Sequence, residues 1–386
     1  MCGIAGCFGS NPPDPDLVNK TLGLMKNRGP NNTDYVTFKN SEFFAGFLHS
    51  RLSIIDLDER SNQPFQIDDV TLVHNGEIYN YVELRKELEK DGVVFQTDSD
   101  TEVLLQSYLK WGEECVDHFE GMWAFAIYDV RDRKIFISRD RFGEKPLFYS
   151  DIAGTIYFAS ETKFIRSLSG TSLNVCTDQI LRYLVNGYKS LYKHGQTFFD
   201  GVNELPPAHN MRITKDGGVE VYRYWTPTYH PKKMSLDEAI EGVRHHLKES
   251  VKLRLRSDVP LAFCLSGGID STSIISIAVK EFGYDVATFS IVDQDERYNE
   301  TDNMNAVIND LGCKNTMIDV PNTGFLDRME FLIDYHDSPL ATISYYVHAY
   351  LSEAIAESGF KWRCPGQLLM NYLPVIMTIT IFISMR

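Results

Sequence analysis

Two kinds of hydrophobic period divide the chain. In the first half, apolar residues alternate or run unbroken over 122–128 and 134–138, which predicts strands in the core of a layered sheet fold. Residues 49–56 alternate like a strand, and Val73 leads into His74-Asn75-Gly76, which places Asn-Gly between a strand and a helix. Helical spacing appears at Leu17, Leu22 and Leu24, ended by Gly29-Pro30. It appears again at Val103-Leu104-Leu105, behind the cap candidates Asp98, Ser99 and Asp100.

The second half reads differently. Residues 226–233, rich in Pro, Tyr and Lys, suggest a linker, after which Ser235 and Glu238 form a capping box on a helix carrying Ile240, Val243 and Leu247 on one face. Five mostly apolar residues, 261–265, then run into Ser266-Gly267-Gly268, and a helix begins with Asp270, Ser271 and Thr272 in its first turn. Residues 285–292 form a second apolar strand. Strands alternating with helices of these lengths predict a parallel sheet covered on both faces, with ligands at the carboxyl ends of the strands.

Composition narrows the class. A chain of 386 residues predicts two or three domains, and 43% hydrophobic content is ample for their cores. With 53 acidic against 38 basic residues, the net charge of -15 argues against general nucleic-acid binding. Seven cysteines, scattered without metal-ligand spacing, suit a reducing compartment. No charged and then apolar leader opens the chain, so a cytoplasmic protein is expected.

Two stretches carry candidate chemistry. Small residues follow Met1, so its removal leaves Cys2 with a thiol and a free α-amine on one residue. An α-amine titrates well below a lysine and can act as general base for its own thiol. The bland alternative is a small buried cysteine in an edge strand. The second stretch is the loop 266–272. Its glycines allow close backbone approach, the helix N-terminus favours an anion, and hydroxyls add donors, while Asp270 suits a divalent cation between itself and phosphates.

The set Cys2, Arg28-Gly29-Pro30, Arg51, Asn75-Gly76-Glu77, Asp100 and residues 138–147 resembles the N-terminal-nucleophile glutamine amidotransferase family. The resemblance implies an αββα layered domain in which Cys2 attacks the side-chain amide of L-glutamine and releases ammonia through a thioester. It further implies Asn75 and the N–H of Gly76 as oxyanion hole. Arg51 would take the substrate carboxylate, with Leu52, Ser53, Ile54 and Ile55 beside it, and Glu77 and Asp100 would take the substrate ammonium.

The string Ser266-Gly267-Gly268-Ile269-Asp270-Ser271-Thr272 resembles the pyrophosphate loop of the ATP pyrophosphatase superfamily, whose members form acyl-adenylates. By that resemblance Leu265 and Ile291 flank the adenine and ribose of ATP, residues 266–268 and 270–272 hold its phosphates, and Asp270 meets Mg2+ through pyrophosphate. The two halves in this order resemble the glutamine-hydrolysing asparagine synthetase family. That implies L-aspartate as acceptor and small molecules as partners. Oligomeric state stays open, a homodimer being one possibility, and no membrane association is expected.

The expected division is 1–210 for the amidotransferase domain, 211–234 for a linker and 235–361 for part of an ATP domain of doubly wound parallel-sheet type, followed by an aberrant tail, 362–386. At Lys361 the resemblance stops. The codons of the following residues, read one base upstream, permit a Ser-Gly loop followed by Asp-Glu, the motif that the family places there. A single-base frameshift is therefore expected near codon 361, leaving the synthetase half incomplete. Residues 368–384 are apolar and uncharged, but Pro374 and the β-branched run after it fit an aggregation-prone segment better than a membrane anchor. Two other functions remain open. One is amidation of a sugar acid or other carboxylate, since residues 336–344 depart from the common acceptor segment; the other is a non-catalytic fragment that binds glutamine or a partner.

Overall fold

A computed structural model describes residues 2–360 apart from 11, 40–42, 191–194, 215, 216, 293, 294, 296, 298 and 322. The expected tail, 362–386, and the proposed frame change lie outside the described residues. The chain divides into two compact units, Met1–Thr226 and Pro227–Arg386.

In chain order the first unit contains β1 (Gly3–Gly9), α1 (Pro15–Met25), β2 (Asn32–Lys39), β3 (Phe44–Arg51), β4 (Phe65–Ile67), β5 (Val70–Ile78), α2 (Tyr81–Lys90), α3 (Asp100–Trp111), β6 (Gly121–Asp129) and β7 (Lys134–Arg139). There follow β8 (Phe148–Ile152), β9 (Thr155–Ala159), α4 (Thr162–Ser169), α5 (Thr177–Asn186), β10 (Asn203–Glu204), β11 (His209–Ile213) and β12 (Val219–Arg223). Two six-stranded sheets result, ordered β10-β8-β9-β1-β3-β2 and β12-β11-β7-β6-β5-β4.

Alternation along each strand explains the layering. In β1, Ile4 and Phe8 turn inward to meet Val73, Ala124, Ala126 and Ile137 of the facing sheet, while Ala5 and Cys7 turn outward to Val18 and Met25 of α1 and Phe164 of α4. On the far side, Leu72, Trp123 and Phe125 pack under Leu84 of α2 and Leu104 of α3. Every residue of β1 is buried, and each large apolar side chain so placed contributes roughly 1.5–3 kcal/mol. Gly6 is required there, because a Cβ would sit 2.3 Å from the Phe158 ring. The expected αββα arrangement is thus present. One boundary needs correction: β11 pairs with β7, and β12 with β11, so residues 211–223, expected within the linker, complete a sheet of the first unit.

The second unit contains α6 (Leu236–Arg254), β13 (Ala262–Cys264), α7 (Ile269–Lys280), β14 (Ala287–Val292), α8 (Thr301–Leu311), β15 (Lys314–Asp319), α9 (Phe325–His336) and α10 (Ile343–Glu357). Ser235 and Glu238 make the expected capping box on α6. The three strands are parallel, in the order β13-β14-β15, with Cys264 opposite Phe289 and Ile291 opposite Ile318. Val251, Ile274 and Met304 of α6, α7 and α8 form a core with Leu265, and Leu351 and Ile355 of α10 form another with Phe289. Helices therefore cover both faces, as parallel strands require. No helix among the described residues is long and apolar enough to cross a membrane.

Candidate active site

The nucleophile candidate stands at the threshold of the central strand β1. Gly3 pairs with Ser50, so Cys2 comes level with Arg51 at the end of β3. The N–H of Leu52 points to Cys2 Sγ at 3.4 Å. The Cys2 carbonyl accepts from Arg28 Nε at 2.9 Å, and Arg28 Nη1 reaches Glu161 at 2.8 Å, where Lys163 also binds. Gly3 N–H donates to Ser50 Oγ at 3.1 Å. The first peptide of the strand is thus pinned from two sides. Burial pushes the Cys2 thiol up, with the Leu52 N–H and the Arg51 charge opposing it, so thiolate formation requires a base close by.

The opposite wall is β5. Asn75 and Gly76 were expected between a strand and a helix, but they lie inside this strand, opposite Ala124 and Trp123, and the strand ends only at Ile78. Alternation sends Asn75, like Val73, toward the space between the sheets. Asn75 is fully buried, and among the described residues neither its Nδ2 nor its Oδ1 has a hydrogen-bond partner. A buried amide without partners costs about 1–3 kcal/mol, and this one lines the cleft, where an entering group could pair with it.

Beyond the end of β4, the edge of β5 is covered by side chains rather than by a strand. His74 N–H donates to Gln63 Oε1 at 2.6 Å, the His74 carbonyl meets His49 Nε2 at 3.1 Å, and Ile78 N–H donates to Asp100 Oδ2 at 2.9 Å. Backbone alternation puts the N–H of Gly76 in the same row, between these capped positions. Only glycine fits there, since a Cβ would lie 2.1 Å from the Met122 carbonyl.

Asp100 opens α3, behind the N-cap Ser99. Burial raises its carboxyl to about 6 despite the hydrogen bond from Ile78. Arg51 differs from expectation. Its Nη1 donates to the Asp58 carbonyl and to Asn62 Oδ1, each at 2.8 Å, and its Nη2 donates to the carbonyls of Asp56 and Ile55. The guanidinium therefore fixes the loop after β3, which leaves strand geometry at Leu52 although residues 49–56 had been expected as one strand.

These walls form a cleft, open to solvent, lined by Cys2, Arg51, Leu52, Ile54, Ile55, Asn75, Gly76, Glu77 and Asp100. Of the expected glutamine-site residues, Ser53 alone is not in the lining; its N–H turns to Asn31 Oδ1 at 3.0 Å. Gln63, His74, Ser99, Thr101 and Lys145 line the cleft without having been singled out. Lys145 is 1% exposed, facing Glu77, Glu144 and Asp140, and burial holds its amine below the ordinary lysine value. Its position within the motif 138–147 was visible in the sequence, but its burial was not.

In the second unit, β13 leads through Leu265, whose N–H donates to the Phe289 carbonyl at 2.9 Å, into a loop at the carboxyl edge of the sheet. Gly267 has φ +79°, the left-handed region that glycine adopts at little cost. Gly268 is the N-cap of α7; its N–H donates to Ser266 Oγ, which contacts Ser271 Oγ at 3.1 Å. Thr272 Oγ1 is buried with no partner among the described residues, and Asp270 is exposed in the first turn. Ile291 lies near the carboxyl end of the adjacent strand β14. Among the described residues no three His, Cys, Asp or Glu side chains gather as a metal site, so Asp270 is the carboxylate the loop offers a cation.

Comparison with known proteins follows the same division. Residues 242–366 match the family Asparagine synthase. Asparagine synthetase [glutamine-hydrolyzing] 1 of Bacillus subtilis (strain 168) is 33% identical over 348 residues, covering 88% of this chain and 54% of that protein. Asparagine synthetase [glutamine-hydrolyzing] 3 of the same organism is 35% identical, covering 73% of this chain and 46% of that protein. A putative asparagine synthetase [glutamine-hydrolyzing] 2 of Methanocaldococcus jannaschii is 34% identical, covering 80% and 62%. The chain thus spans about half the length of the first two relatives. Residues 1–225, more than half of the chain, match the family described as Glutamine amidotransferase domain, and the chain belongs to that family.

Proposed function

We propose that the chain hydrolyses L-glutamine at Cys2 and uses the ammonia to amidate L-aspartate activated by ATP. The observation that carries the first half is the buried, unpartnered amide of Asn75 in the cleft that Cys2 lines. With Met1 removed, the α-amine of Cys2 takes the thiol proton and the sulfur adds to the glutamine amide carbon. The oxyanion that forms meets Asn75 Nδ2 and Gly76 N–H, donors already fixed before charge develops. The amine returns its proton to the leaving nitrogen, ammonia departs, and water hydrolyses the γ-glutamyl thioester to glutamate. Asp100 and Glu77 hold the substrate ammonium. Leu52, Ile54 and Ile55 form the rim on the carboxylate side, and Arg51 acts by fixing that rim.

In the second half, the backbone N–H groups of residues 266–268 and the start of α7 suit the phosphates of ATP, with Leu265 and Ile291 beside the nucleoside. Thr272 Oγ1 is a buried hydroxyl free to join them. Asp270 would hold Mg2+ together with pyrophosphate oxygens, and the ion supplies charge neutralisation there. Aspartate attacks the α-phosphorus, forming β-aspartyl-AMP and releasing pyrophosphate; ammonia then displaces AMP. The frame change near codon 361 belongs to the same proposal, and resequencing that region tests it.

Glutamate release measures the first reaction. Cys2→Ala is expected to abolish it with little change in Tm; persistent release would exclude Cys2 as nucleophile. Aspartate-dependent exchange of pyrophosphate into ATP measures the second. Exchange with a different carboxylate, and none with aspartate, would replace the acceptor.

A further inference from the structure

We propose that His49 is a positioning residue that ties the sheet bearing the nucleophile to the strand bearing the oxyanion hole, and that it is not the base for Cys2. The inference rests on the glutaminase reading above. His49 lies in β3, two residues before Arg51 and directly opposite Ile4 of β1. Ala45 and Phe47 of the same strand face the space between the sheets, and alternation directs His49 there too. Its Nε2 meets the His74 carbonyl at 3.1 Å. That carbonyl belongs to the peptide bond preceding Asn75, so the contact joins the two walls of the cleft one residue away from the proposed oxyanion donor.

A carbonyl can only accept, so Nε2 carries the proton and Nδ1 does not. Nδ1 is buried and has no partner among the described residues. Burial pushes the imidazole down to about 3, with the hydrogen bond to His74 opposing it, so the ring is neutral at working pH. The N–H is committed to the backbone. Among the described residues no other strand covers this part of the β5 edge, since β4 reaches only as far as the Phe65–Leu72 pair. Gln63 holds the His74 N–H and His49 holds its carbonyl, so the peptides on both sides of the His74 Cα are fixed.

The test compares two reactions of Cys2 in the full chain. Glutamine turnover develops an oxyanion, whereas alkylation by iodoacetamide, followed on the N-terminal peptide by mass spectrometry, displaces iodide and develops none. His49→Leu is expected to lower kcat for glutamate release at least 30-fold, with KM and the Cys2 alkylation rate each within about threefold of wild type. His49→Gln, which can still donate an N–H, should recover kcat to within about fivefold of wild type. Two results overturn the proposal. If kcat and alkylation fall together, His49 acts on the thiol itself or on the fold. If kcat in His49→Leu stays within threefold, the bond positions nothing. Absence of glutamate release from the wild-type chain defeats the glutaminase reading, and this proposal with it, before any variant is compared.

Discussion

Asn75→Ala separates function from stability more sharply than any other change in the cleft. The asparagine amide is fully buried and neither polar atom has a partner among the described residues, so the folded protein carries a desolvation cost of about 1–3 kcal/mol at this position. Truncation to alanine removes that cost. It also removes three side-chain atoms from their contacts, a loss on the order of 1 kcal/mol for a change this small. The balance favours the variant by about 1 kcal/mol, which for a unit of this size raises Tm by roughly 2–4 °C. Catalysis moves the other way. Loss of one oxyanion donor lowers kcat by about 10² to 10³, with KM for glutamine little changed because the donor acts on charge absent from the ground state. The assays are glutamate release under saturating glutamine and thermal melting of the same preparation. A fall in Tm of several degrees together with the activity would make Asn75 a structural residue. A kcat within threefold of wild type would remove it from the oxyanion hole.

Other outcomes follow from the same geometry. Asp100, raised to about 6 by burial, must be ionised to hold an ammonium, so kcat/KM for glutamine should fall as pH drops through about 6, and Asp100→Asn should flatten that limb while raising KM at least tenfold. Because the fold disfavours the ionised carboxyl, its cost is absent below about pH 4 and complete above about pH 6; Asp100→Asn should therefore stabilise the unliganded protein by about 3 kcal/mol at pH 7 and not at all at pH 4, as thermal melts would show. Arg28→Met leaves Glu161 with Lys163 alone and frees the Cys2 carbonyl, so it should cost about 3–5 kcal/mol and glutamate release together, read by chemical denaturation and turnover. Gly267→Ala forces a side chain into φ +79° and 3.2 Å from the Glu300 carbonyl, and should destabilise the second unit by about 1–2 kcal/mol and weaken ATP binding in calorimetry.

Residue type and local order made much of the cleft legible. Cys2, Asn75, Gly76, Glu77 and Asp100 had to meet if the motif had its expected meaning, and they do. Local pattern alone misplaced Asn75-Gly76, because a turn-forming dipeptide beside a helix usually marks the end of a strand; here pairing with β6 carries the strand two residues further. Arg51 was read as a substrate clamp because its guanidinium suits carboxylates, but the carbonyls that occupy it come from a loop whose path no periodicity encodes. Lys145 and His49 were hidden for a related reason. Their importance lies in burial and in contacts between sheets, which depend on long-range pairing rather than on neighbours in the chain. In the second unit, Ser266 to Thr272 was easier to recognise, since the strand, loop and helix that build it are consecutive.

The place of β1 in its sheet also governs when the protein becomes competent during synthesis. It precedes every other described strand in the chain, yet one of its two neighbours is β9, which begins at Thr155, and the N–H of Ile4 bonds to Ser160, 156 residues away in sequence. Until that partner emerges, β1 has a bare edge and Cys2 lacks half of its support. Contacts so distant in sequence form late, because the loop between them must close first. Nascent chains shorter than about this length therefore carry the thiol without the framework that surrounds it once the sheet has closed around its oldest strand.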